Sequence, residues 1–271
     1  MENGVRSQNG ITILAGSYLN DLHFTKYYWL FGSAPGSQKN NSQYKGKLVV
    51  QRIFHSQCYN ILLLFSPMSA DHTPDYEQIA TDLAHQGYAV CDGFLNSTEV
   101  VNILQTDEFQ NSKLHFRKAA VGKTNKLVNE AIRGDYIQWI DPASAPPCIG
   151  IYLDHLMQMI RYLNQSLYLS LKGVEIHRTL YPPGAHYKRH LDQFRSDDHR
   201  KLSVICYLNE QWQPKQGGQL RLHIPDGAID ILPEGGKLVC FRSDLIEHEV
   251  LPALRDRFSL TGWAVDREPG I

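Results

Sequence analysis

His190 and Asp192 stand two residues apart in the stretch YPPGAHYKRHLDQF, residues 181–194. In an extended strand, residues i and i+2 point to the same side. This imidazole and this carboxylate can therefore reach one ion from one strand end; the plain alternative is a polar surface loop. A non-haem Fe(II) site of the facial kind needs two imidazoles and one carboxylate and leaves three positions open. His248, in DLIEHEV, lies 56 residues past Asp192 and is the natural second imidazole, on a later strand. Arg257, nine residues further on in RDRFSLTGW, stays charged and can hold a distal carboxylate bidentately. An HxD pair alone arises by chance in a chain with 12 histidines. The ordered set of HxD, distal His and Arg within one strand-rich half is far more specific. His186 and His223 read as ordinary polar or pocket residues, and His199, in RSDDHR, as a solvated loop residue.

The elements that must position these residues are legible from pattern. Asp75 is a good N-cap for a helix over YEQIATDLAHQ, which Gly87 closes. YAVCDGF alternates as a strand, Ser97 is placed to cap a helix over STEVVNILQ, and residues 136–140, YIQWI, read as a short strand. Residues 148–169 carry Ile149, Leu153, Leu156, Met157, Ile160, Leu163 and Leu167 at helical spacing, which predicts a long helix packed on a sheet. After Gly173 the pattern changes to short β-branched or alternating runs separated by PPG, QGG, PDG and PEGG. Such spacing indicates a sandwich or barrel rather than a parallel sheet.

The chain has 271 residues, with 27 Lys and Arg against 28 Asp and Glu, and this balance argues against a dedicated nucleic-acid binder. Five cysteines form no CxxC, which reads as free thiols in a reducing, cytoplasmic setting and gives a zinc-thiolate site little support. Residues 1–67 hold six basic and two acidic side chains, and no clear helical period. Their apolar run NILLLFSP is too short to span a bilayer and too deep for an ordinary secretory signal, so no membrane partner is expected. MSADHTPDYEQIA, from Met68, reads like a normal protein start. Residues 1–67 are accordingly expected to be a poorly ordered extension from an upstream start.

Five stretches together carry a family resemblance: IRGDYIQWI (132–140), YPPGAHYKRHLDQF, CYLNEQW (206–212), GGQLRL (217–222) and HEVLPALRDRFSLTGWAVD (248–266). Over residues 76–266 the sequence resembles the 2-oxoglutarate/Fe(II) dioxygenases. Within them it is similar to the prolyl 4-hydroxylases that modify hypoxia-inducible factor and their bacterial relatives. The resemblance implies an α+β fold: a double-stranded β-helix, or jelly roll, over 173–271, braced by a helical support region with the first strands over 68–172. It implies His190, Asp192 and His248 as iron ligands, Arg257 and Tyr207 on the C5 carboxylate of 2-oxoglutarate, and Tyr181, Tyr187, Ile205, Leu220 and Trp263 lining the pocket. Arg133 and Asp135, in IRGD, match the family's loop beside the peptide groove. The YPPGAHY turn is one residue shorter before the HxD than in the animal enzymes, so Tyr181 is matched only across a gap. The implied cofactors are Fe(II), 2-oxoglutarate, dioxygen and ascorbate as reductant. The implied reaction is hydroxylation of an exposed proline in a protein, such as a translation or transcription factor, by a monomer. The same chemistry on a small molecule or another side chain, and a non-catalytic jelly-roll sensor, are the alternatives. The full ligand set disfavours the sensor, and IRGD favours the protein substrate.

Overall fold

The computed structural model describes residues 73–119, 129, 131–193 and 198–267, with four strands nearer the N-terminus. The chain divides into two compact units, Met1–His72 and Thr73–Ile271. In the first, β1 (Arg6–Gln8), β2 (Ile11–Asn20), β3 (His23–Gly32) and β4 (Tyr44–Gln51) form an antiparallel sheet in sequence order. Residue pattern alone predicts no strand there, yet β2 and β3 are rich in the β-branched and aromatic residues that favour extended backbone. The apolar run 60–67 and Met68 lie outside the described residues.

The second unit begins with helices. Asp75 accepts a hydrogen bond from the Gln78 backbone N–H at 2.9 Å and starts α1 (Tyr76–Gln86), and Gly87 ends it at φ 79°, a left-handed turn that glycine adopts freely. For α2 (Ser97–Leu104) the cap is Asn96, not Ser97. Asn96 accepts from the Glu99 N–H at 3.0 Å, and Glu99 accepts from the Asn96 N–H at 2.8 Å, a reciprocal pair that makes Ser97 the first helical residue. Two single turns, α3 (Asp107–Gln110) and α4 (Ser112–His115), precede α5 (Pro147–Leu167). Pro147 opens α5 where a missing N–H costs nothing, and Ile149, Leu153, Leu156, Ile160 and Leu163 form its buried stripe.

The strands make two antiparallel sheets. The larger has the order β5-β13-β10-β15-β8-β7-β6, from β5 (Tyr88–Cys91), β6 (Arg117–Lys118), β7 (Tyr136–Trp139), β8 (Gly173–Tyr181), β10 (Arg200–Tyr207), β13 (Leu238–Arg242) and β15 (Arg257–Val265). The smaller has the order β12-β11-β14-β9, from β9 (Tyr187–His190), β11 (Leu220–Ile224), β12 (Gly227–Ile231) and β14 (Glu247–Val250). This is the jelly-roll arrangement, with the helices against one face of the larger sheet.

Strand alternation assigns each residue to one of two cores. Val204 and Cys206 of β10, with Leu238 and Cys240 of β13, pack with α1, α2 and α5. Their neighbours Ile205, Tyr207, Val239 and Phe241 face the other way, toward Leu220, Leu222 and Val250 of the smaller sheet. The helices thus support the back of the sheet whose front builds the site. Cys91, Cys148, Cys206 and Cys240 are free thiols, and Cys58 lies outside the described residues.

Candidate metal centre and cosubstrate pocket

His190 ends β9, and β9 pairs with β14 so that His190 lies directly opposite His248. Register alone therefore brings together two imidazoles 58 residues apart in sequence. Asp192 lies two residues beyond the end of β9, not within a strand. Its aim is set by β10, where the Ser203 hydroxyl donates to Asp192 Oδ2 at 2.6 Å and is itself within 2.9 Å of the Ser243 hydroxyl. His190 Nε2 lies 3.4 Å from Asp192 Oδ1 and His248 Nε2 lies 3.6 Å from Oδ2. One ligand atom from each of the three falls within 4.8 Å of the others.

The tautomers suit a metal. His190 Nδ1 lies 2.7 Å from the Lys188 carbonyl, and His248 Nδ1 lies 3.3 Å from the Ile246 carbonyl. Carbonyls only accept, so each Nδ1 carries the proton and each Nε2 presents a lone pair toward Asp192. Burial pushes His248 down to about 4 against the pull of Asp192, which keeps it neutral at pH 7. Burial also disfavours the Asp192 carboxylate, but its attraction to the protonated forms of His248 and His190, with the Ser203 hydrogen bond, outweighs that and holds the group well below the usual range. Packing holds the rings as well: Tyr187 stacks on His190 at 3.6 Å, and Phe241 lies tilted against His248 at 4.6 Å, centroid to centroid.

The trio opens on a cavity of about 710 Å³, lined also by Tyr181, Tyr187, Ile205, Leu220, Arg257, Trp263, Arg133 and Asp135. Tyr207 stands behind this wall, its ring 4.9 Å from the Arg257 guanidinium, while Tyr181 lies 5.1 Å from it. Arg257 opens β15 opposite Tyr181 of β8 and is 2% exposed. Its Nε donates to the Gly218 carbonyl at 2.8 Å. Gly218 sits at φ 70°, and a Cβ there would lie 3.0 Å from Trp212 and 3.3 Å from the Arg257 chain, so the glycine admits the arginine. Among the described residues, Arg257 Nη2 and the Tyr207 hydroxyl are buried and without a hydrogen-bond partner. Burial pushes the Tyr207 phenol up to about 12, against the lowering influence of Arg257, so it is a neutral donor.

Two orphaned donors, one of them cationic, are costly unless something satisfies both. A carboxylate matches them in charge and in hydrogen-bonding sense. With two neutral-nitrogen positions and a carboxylate nearby for a divalent ion, the donor set fits Fe(II) together with an anionic cosubstrate.

Arg133 and Asp135 do not form the weak surface pair that their adjacency in sequence allows. Asp135 is fully buried, and Arg133 grips it through Nε–Oδ1 at 2.7 Å and Nη2–Oδ2 at 2.6 Å. Burial opposes the Arg133 charge, but Asp135 outweighs it and raises the guanidinium above its ordinary value. The loop is strapped to β9 by Gly134 N–H to the His186 carbonyl and Lys188 N–H to the Ile132 carbonyl, both at 2.9 Å, and Arg133 covers the Tyr187 ring at 4.3 Å. His223 binds Glu249 at 3.1 Å on the smaller sheet. His199 is not a solvated loop residue: it lines the cavity, partly buried, with Nε2 3.4 Å from Glu175. The sequence reading also passed over Ser203, His177, Thr179 and Trp139. Ser203 precedes Ile205 by two in a strand, and that spacing was the available signal.

A double-sheet antiparallel fold with a His-Asp-His trio and a buried arginine across one cavity defines an oxygenase-type non-haem iron site. The model of the 2OG-Fe(II) oxygenase superfamily matches residues 175–265. The chain is 42% identical to a prolyl-4-hydroxylase from Pseudomonas putida of solved structure, with TM-score 0.65, over 72% of this chain and 100% of that one. It is 28% identical, with TM-score 0.65, to a Trichoplax adhaerens prolyl hydroxylase solved in complex with a hypoxia inducible factor oxygen degradation domain peptide fragment, over 70% of this chain and 89% of that one. Human Egl nine homolog 1 is 31% identical over 208 residues, 71% of this chain and 47% of that protein. The chain spans about half the length of that curated relative. It belongs to the 2OG-Fe(II) oxygenase superfamily, and is homologous to the Egl nine prolyl hydroxylases and to bacterial prolyl 4-hydroxylases. The family implies Fe(II), 2-oxoglutarate and dioxygen. Among the described residues, no helix is long and apolar enough to cross a membrane.

Proposed function

We propose that this chain hydroxylates a prolyl residue in a protein substrate, converting 2-oxoglutarate and dioxygen to succinate and CO2. The observation that carries the reading is Arg257, which lines the same cavity as the His-Asp-His trio with Tyr207 behind it, Arg257 Nη2 and the Tyr207 hydroxyl both being buried donors unpartnered among the described residues. His190, Asp192 and His248 would hold Fe(II), and Arg257 with Tyr207 would hold the distal carboxylate of 2-oxoglutarate. When bound, these groups supply the oxidation of an unactivated C–H bond, which no side chain can perform.

The chain's own work is binding, orientation and shelter. The Lys188 and Ile246 carbonyls keep both imidazoles turned with Nε2 toward the metal position, and Ser203 keeps Asp192 aimed there. Ile205, Leu220 and Val250 give the pocket apolar walls. The IRGD loop, fixed rigidly to the strand that bears His190, is suited to presenting a peptide to the site. The Pseudomonas and Trichoplax proteins, both prolyl hydroxylases, support a prolyl substrate. Ascorbate as reductant and a cytoplasmic setting belong to the same proposal, the latter supported by four free thiols among the described residues.

The test has two readouts. Iron-dependent conversion of 2-oxoglutarate to succinate reports the oxygenase chemistry. Mass spectrometry of substrate proteins should then show one added oxygen on proline. Succinate formation with oxygen added only to small molecules or to other side chains would overturn the prolyl assignment.

A further inference from the structure

The charges that line the cavity are unbalanced. Seven Lys and Arg but only three Asp and Glu line it, an excess of four positive charges, on a chain whose formal net charge is −1. A metal dication with a dianionic cosubstrate adds nothing to that excess. The three carboxylates are each withdrawn and engaged. Asp135 is fully buried under Arg133. Asp192 faces the two histidines. Glu175 lies 3.4 Å from His199 and 3.6 Å from Arg200. The exposed charges of the lining are all cationic: Arg117, Lys188 and Arg189. Arg189 shares its charge with Glu247, and Arg117, with no acidic partner among the described residues, donates to the Leu114 carbonyl at 2.8 Å.

A cleft lined by one sign of charge raises the local concentration of the opposite sign and speeds its arrival. We infer that the segment received at this mouth is acidic: a proline-containing stretch of protein with Asp or Glu close to the target residue. This rests on the prolyl-hydroxylase reading and deepens it. A polypeptide is favoured over a nucleic acid because, within the unit Thr73–Ile271, the residues outside the cavity lining are more often acidic than basic.

The experiment uses the full chain with iron and 2-oxoglutarate, and two labelled peptides that share one central proline. One has Asp and Glu flanks, the other Asn and Gln at the same positions. Binding and hydroxylation are both read, at low and high salt, in wild type and in Arg117→Glu with Lys188→Glu. The acidic peptide should bind about tenfold more tightly at low salt, with the ratio shrinking as salt rises. The charge-reversed variant should bring the ratio to one or below. Equal binding of both peptides by the wild type, or a ratio indifferent to the reversal, overturns the inference. So does a single-stranded oligonucleotide that displaces the acidic peptide at lower concentration than the peptide itself binds. Acidic preference without hydroxylation of proline would leave the inference standing and remove the prolyl reading instead.

Discussion

Replacing Tyr207 with Phe removes one oxygen from a fully buried site and should move two quantities in opposite directions. Without cosubstrate, the Tyr207 hydroxyl has no partner, and an unsatisfied buried polar group costs about 1–3 kcal/mol. Tyr207→Phe should therefore leave the unliganded protein as stable as wild type or more so. The ring keeps its place against Arg257 and in the inner core, so no cavity opens. With 2-oxoglutarate bound, the lost contact is a hydrogen bond to a charged group, about 1.5–3 kcal/mol, or roughly a 10- to 150-fold weaker Kd. Arg257→Ala should weaken it further, by removing the charge as well. Calorimetric titration of 2-oxoglutarate into Mn(II)-loaded protein measures the affinity without turnover, and urea unfolding of the metal-free protein measures the stability. Unchanged 2-oxoglutarate affinity would place the anchor elsewhere. Destabilisation of the unliganded variant by more than about 1 kcal/mol would mean that the hydroxyl already has a partner, and the argument from orphaned donors would fail.

His190→Ala, Asp192→Ala and His248→Ala should each abolish succinate formation while circular dichroism stays native, since each removes one of three protein ligands; full activity in any of them removes that residue from the trio. Arg133→Ala strips the counter-charge from a fully buried carboxylate and should cost about 3–5 kcal/mol of stability, whereas Arg133→Ala with Asp135→Asn should recover part of it; a melting temperature unchanged in the single variant would show that the pair is not structural. Burial pushes His177 down to about 4 in the folded chain, from about 6.5 when unfolded. The unfolded state therefore takes up the proton first as pH falls, and about 3 kcal/mol should be lost between pH 6.5 and 4, a loss that His177→Phe should blunt in acid-unfolding curves. A chain beginning at Met68 should keep wild-type 2-oxoglutarate turnover and melting, because the His-Asp-His trio and Arg257 lie wholly within Thr73–Ile271; an insoluble or inactive product would refute this.

Local signals in the sequence determined a good deal by themselves. Asp75 and Gly87 bound α1 because a cap needs only an acceptor and a left-handed turn, both decided by single residues. The apolar stripe of α5 and the turn-punctuated runs after Gly173 likewise state helix and strand through periodicity. The order and spacing of His190, Asp192 and His248 also pointed to the trio that the fold brings together.

What the residue pattern could not decide was everything that depends on register and burial. Ser97 and Asn96 are equally good caps in isolation, and the reciprocal bond with Glu99 selects Asn96. His190 meets His248 only because β9 pairs with β14 in one register, and a slip of one residue would turn one ring to the opposite face. Asp192 lies off the strand and owes its aim to Ser203, a contact across 11 residues that no local rule encodes. Arg133 and Asp135 look like a surface pair in sequence, because adjacency says nothing about solvent; only the packed sheet buries the carboxylate and makes the pair structural. The orphaned donors of Arg257 and Tyr207 belong to the same class of fact. A sequence names a donor, but only the tertiary structure shows that nothing among the described residues satisfies it.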